Sequence, residues 1–310
     1  MNVARYCPVV GLIIGTALLL FPASGAAIGS SADHATRAHR IAGGKPAQVK
    51  VPSISKRRTR RPLPPEGILL KDLRTGQVLF EHNADLSMAP ASLTKIMSAI
   101  IILEEGDLDD QVTVSRKAAA AHKIKLNLRP GQVLPLQGLL EAMLIRSAND
   151  ACLAAVEHVG GDEDSFVVKM NAKATAIGLA RTHFQNACGF DMPGHVSTAE
   201  DLAVLTEYAM ADNQFAAIVK EPATVIRTTD QRKHYVARTT NRLLGTMDGV
   251  IGVKTGYTRG AGRCLITVVT RDGKELLLVL LNARQRWGRA HALIESGLRA
   301  PAPETAAASR

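Results

Sequence analysis

The 310-residue sequence contains no Cys-x-x-Cys, and its nine histidines form no His-x-x-x-His or His-Glu-x-x-His pattern. A metal hydrolase is therefore not expected, and no metal or other cofactor is implied. Cysteine is scarce. Cys7 lies in the first segment, which leaves Cys152, Cys188 and Cys264, an odd number. At most one pair can form within the chain, and all three read as small buried residues. A membrane-length apolar run is also missing. Val9 to Phe21 is uncharged and apolar, but it falls short of the roughly 20 residues a span needs. With Arg5 before it and Pro22-Ala23-Ser24-Gly25-Ala26-Ala27 after it, residues 1–27 read as a secretory signal. Export to the periplasm or the outer face of the cell membrane is the expectation.

Acid is nearly absent from the N-terminal region. Residues 1–65 hold ten of the 38 Lys and Arg but only one acid, Asp33, whereas the remainder has 28 basic and 27 acidic residues. The net charge of +10 thus belongs to an arm at residues 28–63, which peaks at Lys56-Arg57-Arg58-Thr59-Arg60-Arg61. Its composition reads as a disordered basic linker. The arm is either a solvated spacer or an adhesive for anionic membrane or wall polymer. Export makes nucleic acid the least fitting partner.

With 46% hydrophobic residues, the rest of the chain suits one large domain, at 64–300, followed by a polar tail at 301–310. Ile68–Leu73 and Gln77–His82 read as a hairpin around Arg74-Thr75-Gly76. Cys264–Thr270 and Glu275–Asn282 read as a second hairpin, and Trp287–Leu298 as an amphipathic helix. Residues 136–215 are mostly helical. Leu136–Arg146 is amphipathic, with Ser147 continuing the face of Met143. Gly249–Gly256 reads as a strand that ends in a polar tripeptide. Strands at both ends and helices between them predict an α/β (α+β) fold: an antiparallel sheet assembled from both chain ends, flanking helices, and an all-helical subdomain near 108–215.

Three short motifs carry chemistry. Ser92-x-x-Lys95 opens the apolar helix Leu93–Leu103, so hydroxyl and amine share one face of its first turn. A partly dry lysine loses preference for its proton and can accept one from a serine. The same spacing also fits an N-capping serine and a snorkelling lysine. Ser53-Ile54-Ser55-Lys56 repeats the spacing without an apolar run behind it. Ser147-x-Asn149 lies where one helix ends and another begins, and Lys254-Thr255-Gly256 lies at a strand. Composition alone yields about one Ser-x-x-Lys and roughly one Ser-x-Asn per chain of this length, and a Lys-Thr-Gly in fewer than about one chain in ten. The order and setting of the three match penicillin-recognising serine enzymes.

With Pro90-Ala91-Ser92-Leu93-Thr94-Lys95-Ile96-Met97, Lys254-Thr255-Gly256-Tyr257-Thr258, Ser197-Thr198-Ala199-x-Asp201-Leu202 and Asn241-Arg242-Leu243-Leu244, residues 64–298 resemble the serine-type D-alanyl-D-alanine carboxypeptidases, the low-molecular-mass penicillin-binding proteins. The resemblance implies a β-lactamase/transpeptidase-like fold. It implies peptidoglycan stem peptides as substrate and β-lactams as covalent inhibitors. It assigns Ser92 as nucleophile, Lys95 as base and Ser147 as proton relay. Asn149, Lys254, Thr255 and Arg289 would bind substrate, Gly256 would allow its close approach, and the backbone N–H groups of Ser92 and Tyr257 would form the oxyanion hole. Ala148 stands where many members have Gly, and Ala187-Cys188-Gly189 replaces a Pro-containing turn. The chain ends soon after the last helix, so the β-rich C-terminal domain and amphipathic anchor of many relatives are not expected. The same residues would serve a D,D-endopeptidase that cuts cross-links. A class A β-lactamase would need Ser-Asp-Asn and a deacylating Glu. In a different class stands an inactive polyanion-binding protein that acts through its arm.

Overall fold

The computed structural model describes residues 65–301. The signal and the basic arm read at 1–63, and nearly all of the tail, lie outside the described residues. In chain order the elements are β1 (Gly67–Asp72), β2 (Val78–His82), a single 3-10 turn (Ala91–Thr94), α1 (Lys95–Glu105), β3 (Gln111–Thr113), α2 (Arg116–Ala119), β4 (Val133–Pro135), α3 (Leu136–Glu141), a π-helical turn (Ala142–Arg146), α4 (Asn149–Gly160), α5 (Glu163–Ala176), α6 (Ala199–Met210), α7 (Asn213–Lys220), β5 (Ala223–Arg227), β6 (His234–Arg238), β7 (Lys254–Thr258), β8 (Gly262–Arg271), β9 (Lys274–Leu281) and α8 (Arg286–Arg299). The main sheet runs β2-β1-β9-β8-β7, with every pairing antiparallel. Both chain ends thus build one sheet, as the order of elements predicts.

The sheet is buried on both faces, which is why β9 reads Leu-Leu-Leu-Val-Leu-Leu after Lys274-Glu275 rather than alternating with polar residues. Leu277, Val279 and Leu281 point into the larger core, shared with α1, α4 and α6. Leu276, Leu278 and Leu280 point into a smaller core closed by Ala290 and Ile294 of α8. The hairpin between β1 and β2 turns at Gly76, whose φ of +74° favours glycine. Asp72 Oδ1 accepts the Arg74 N–H there at 2.9 Å. The helical middle also carries a two-stranded ribbon, β3–β4, so it is helical with one ribbon rather than helical throughout.

Two local expectations change. The tripeptide Lys254-Thr255-Gly256 opens β7 instead of closing a strand, and the residues before it approach through a cis Gly252–Val253 peptide. Ser147 does not continue the helix that contains Met143. The π turn ends there, and Ser147 itself is left-handed, with φ +64°.

Candidate active site

β7 is the free edge of the main sheet, and it lies against the 3-10 turn that carries Ser92. The fit is close. A Cβ at Gly256 would stand 3.0 Å from Ala91 Cβ and 3.2 Å from the Ser92 nitrogen. Gly256 therefore serves the packing of β7 on the Ser92 backbone, a reason for glycine beyond the expected approach of a substrate. Gly189 presses from another side. A Cβ there would lie 2.0 Å from the Ala91 carbonyl oxygen, at a φ of +82°.

Ala91 itself has φ +50°, an uncommon state for alanine. A chain of hydrogen bonds holds it. His195 Nδ1 accepts the Gln185 N–H at 2.9 Å, which leaves Nε2 to carry the proton. Nε2 donates to Thr94 Oγ1 (2.8 Å), and Thr94 Oγ1 donates to the Ala91 carbonyl (2.8 Å). Burial first, and then the charge on nearby groups, pushes the His195 pKa down to about 4, so the ring stays neutral and the chain keeps its direction. His195 was not singled out from sequence. Its only signal was its place just before Ser197-Thr198, the cap of α6.

Lys95 begins α1 and is fully buried. Its Nζ lies 2.5 Å from the Cys188 carbonyl, 2.8 Å from Asn149 Oδ1 and 3.3 Å from Ser92 Oγ. Burial, then the charge of Lys254, draws its pKa well below the usual lysine value. An amine in its neutral form has two N–H groups, and the two shorter contacts offer acceptors for both, with Ser92 Oγ as the third and longest contact.

Each acceptor is itself held. Asn149 Nδ2 donates to the His122 carbonyl, and Asp150 accepts the N–H groups of Leu126 and Leu128 in the same loop. Asn186 Oδ1 accepts the N–H groups of Cys188, Gly189 and Phe190. The expected trio of separate small cysteines is corrected: Cys152 of α4 and Cys188 are joined by a disulfide with an S–S distance of 2.07 Å, and among the described residues Cys264 alone is free, and it is buried. The bond ties the carbonyl that faces Lys95 to α4. Sequence permitted one pair, and only tertiary contact selects which.

Ser92, Ser147, Asn149, Gly189, Tyr257 and Thr258 line one cleft of about 170 Å³. Ser147 Oγ is buried there without a hydrogen-bond partner among the described residues, an uncommon state for a hydroxyl. Lys254, the first residue of β7, is buried. It donates to the Thr255 carbonyl at 3.0 Å, and burial, then the Arg286 charge, brings its pKa down to about 7. Thr255 Oγ1 bonds Thr240 Oγ1 at 2.5 Å. The structure thus gathers Ser92, Lys95, Ser147, Asn149 and the Lys254–Tyr257 strand in one place.

It does not bring Arg289 there. That side chain is half exposed, lies 3.8 Å from Glu66, and lines no part of the cleft. Arg286, one turn earlier, takes the position beside β7. Its Nη1 donates to the carbonyls of Gly256 (2.9 Å) and Cys264 (2.8 Å), and its guanidinium lies 4.3 Å from the Trp287 ring centroid. A helical turn is about 5.4 Å long, so a choice between two arginines three residues apart decides which one reaches the strand.

Residues 60–285 match the peptidase family S11, described as D-alanyl-D-alanine carboxypeptidase. The chain is 34% identical over 214 residues to the D-alanyl-D-alanine carboxypeptidase DacF of Bacillus subtilis, which covers 67% of this chain and 55% of the relative. It is 36% identical over 247 residues to DacC of Escherichia coli, covering 74% and 60%. The chain therefore spans a little over half the length of these relatives. The structure superposes on penicillin-binding protein D2 from Listeria monocytogenes in its ampicillin-bound form with a TM-score of 0.66 and 29% identity, over 75% of this chain and 96% of that one.

Proposed function

The chain belongs to the D-alanyl-D-alanine carboxypeptidase family, and from that premise we propose that it removes the terminal D-alanine from peptidoglycan stem peptides through an acyl-enzyme on Ser92. The observation that carries this reading is the placement of Lys95, buried with two close acceptors for its N–H groups and its Nζ 3.3 Å from Ser92 Oγ. Lys95 takes the Ser92 proton as Oγ attacks the carbonyl between the two D-alanines. The free edge of β7 offers backbone groups to an extended peptide. The N–H groups of Ser92 and Tyr257 receive the oxyanion, each worth about 3 kcal/mol. When the C–N bond breaks, the leaving nitrogen takes a proton from Ser147 Oγ, which Lys95 replenishes. Water, deprotonated by Lys95, then releases the acyl group and restores Ser92.

Thr255, Lys254 and Arg286 supply hydroxyl and positive charge for the terminal carboxylate, and Asn149 supplies an amide for the substrate backbone. β-Lactams enter the same attack, but their leaving nitrogen stays tethered to the acyl group, so a covalent adduct persists. The substrate places the enzyme outside the cytoplasm, in agreement with a secretory signal at 1–27. Among the described residues no helix is long and apolar enough to cross a membrane. For the basic arm two roles stand, a solvated spacer and an adhesive for an anionic membrane or wall surface.

The test is incubation with a pentapeptide muropeptide and identification of the products, alongside labelling with a tagged penicillin. Free D-alanine and a label lost in Ser92→Ala are expected. Labelling that persists in Ser92→Ala ends this reading.

A further inference from the structure

A second concavity, of about 730 Å³, opens beside β7 and is lined by Thr239, Thr240, Arg242, Arg263, Arg284, Arg286 and neighbours. It touches the cleft chemistry at two points, where Thr240 bonds Thr255 and where Arg286 donates to the Gly256 carbonyl. Four arginines converge on it. Among the described residues none of the four has a carboxylate within 4.0 Å. The carboxylate of Glu66 accepts the backbone N–H of Arg284, while its ion pair goes to Arg289. Like charges gathered without counter-charge repel one another. Burial, together with the charges of Arg263 and Arg242, lowers the Arg286 pKa. Its Nε is buried without a partner among the described residues.

The backbone fixes where these side chains start. Arg263 is the β8 partner of Tyr257 in the sheet register, and its Nη1 donates to the Arg284 carbonyl. Arg242 follows Asn241, whose Nδ2 donates to the Gly252 carbonyl just before β7. Planar guanidinium groups suit carboxylates, which they bind in pairs of parallel hydrogen bonds. The groove adjoins Thr255, so it lies on the side where the departing part of a substrate must sit.

We propose that Arg242, Arg263 and Arg284 form a leaving-side subsite for an acidic peptide, holding a carboxylate beyond the one at the scissile residue. The proposal rests on the carboxypeptidase reading of the same cleft. It makes a leaving group with two carboxylates, such as the second acidic stem peptide of a cross-link, a better substrate than one with a single carboxylate. An anionic membrane or wall polymer is the competing occupant. The contact of the groove with Thr255 favours the peptide, because a surface ligand would have no reason to meet the scissile strand.

The test compares release from three synthetic peptides that end in D-Ala-D-Ala, D-Ala-D-Glu and D-Ala-D-Gln. D-Gln matches D-Glu in size and lacks the second charge. The wild type should favour D-Glu over D-Gln by about tenfold in kcat/KM, the scale of a charge-assisted hydrogen bond, and the preference should shrink as salt rises. In the triple variant R242Q/R263Q/R284Q the ratio should fall to near one, with penicillin labelling used to show that the variant is folded. A ratio near one in the wild type, or a ratio kept by the variant, overturns the subsite, and the wild-type comparison decides this even where the variant fails to fold. Equal rates for D-Glu and D-Gln, with arginine-dependent retention on anionic lipid vesicles, would assign the groove to a surface instead. Failure to release D-alanine from the D-Ala-D-Ala peptide would remove the carboxypeptidase reading itself, which is a different outcome.

Discussion

The Ser92 cleft and the arginine groove meet at β7 and use positive charge in opposite ways. The cleft has lysines, Lys95 and Lys254, both buried and both with pKa values drawn down, well below the usual value for Lys95 and to about 7 for Lys254. The groove has arginines, which keep their charge at any working pH. Each region also holds one of the two buried side-chain polar atoms without a partner among the described residues, Ser147 Oγ in the cleft and Arg286 Nε in the groove. Lys95 stands where a proton has to move, and the groove arginines, with Lys254 beside them, stand where an anion has to be held. The cleft is about 170 Å³ and the groove about 730 Å³, so water screens the second far more than the first.

The hardest test of this division exchanges the two cations. Lys95→Arg keeps the charge and removes the proton acceptor. Acylation by a tagged penicillin should fall about 10³-fold, within the range for loss of a general base. A variant that still acylates within tenfold of wild type would show that charge alone suffices in the cleft, and the contrast with the groove would collapse.

The next test uses pH. Lys95 acts when neutral, and burial, then the Lys254 charge, favours that form over what a free lysine would show. Lys254 loses its charge as pH rises through about 7, so KM for a carboxylate-bearing peptide should rise about tenfold between pH 6 and 9. Lys254→Arg should flatten that rise, because its charge does not titrate there. If the rise persists in Lys254→Arg, another group carries it. The same shift bears on stability. The folded chain binds fewer protons than the unfolded one between about pH 7 and the ordinary lysine value of about 10.4. The destabilising effect of burying the Lys254 charge is therefore full below pH 7 and is relieved as pH rises through that window.

A smaller effect concerns the rigidity of the cleft. The Cys152–Cys188 bond spans 36 residues, and for a loop of that size its loss should reduce stability by about 3–4 kcal/mol. The double variant Cys152→Ser/Cys188→Ser should show this in denaturant unfolding. It should also acylate several-fold more slowly, since the Cys188 carbonyl faces Lys95. Slower acylation without lost stability would mean that the bond matters only for placing that carbonyl.

Much of this was legible in the sequence, for a physical reason. Ser92 and Lys95 are neighbours because three residues make most of a helical turn, whatever surrounds them. The β8–β9 hairpin was legible because long runs of branched apolar residues have few other uses. What was not legible depends on contacts distant in sequence or on departures from regular backbone. Ser147 reaches the cleft because a π turn ends its helix in a left-handed residue, and periodicity cannot show that. His195 matters through Thr94, 101 residues away. The cysteine pairing is of the same kind.

The smallest effect separates Arg286 from Arg289, of which the family resemblance singles out only Arg289. Arg286 donates to Gly256, inside the motif strand, and carries a buried nitrogen. Arg289 is half exposed, and its nearest acid is Glu66 at 3.8 Å, an arrangement worth about 0–1 kcal/mol. Arg289→Gln should therefore leave KM for a D-Ala-D-Ala peptide within about twofold, because an exposed charge beyond the first turn is screened within roughly 8 Å at physiological salt. Arg286→Gln should raise KM about tenfold, through loss of a charge held near the terminal carboxylate. Steady-state kinetics on the two variants, made side by side, decide the assignment. A larger effect from Arg289→Gln would mean that α8 presents its second turn to the substrate, and the groove would then have to be redrawn around that residue.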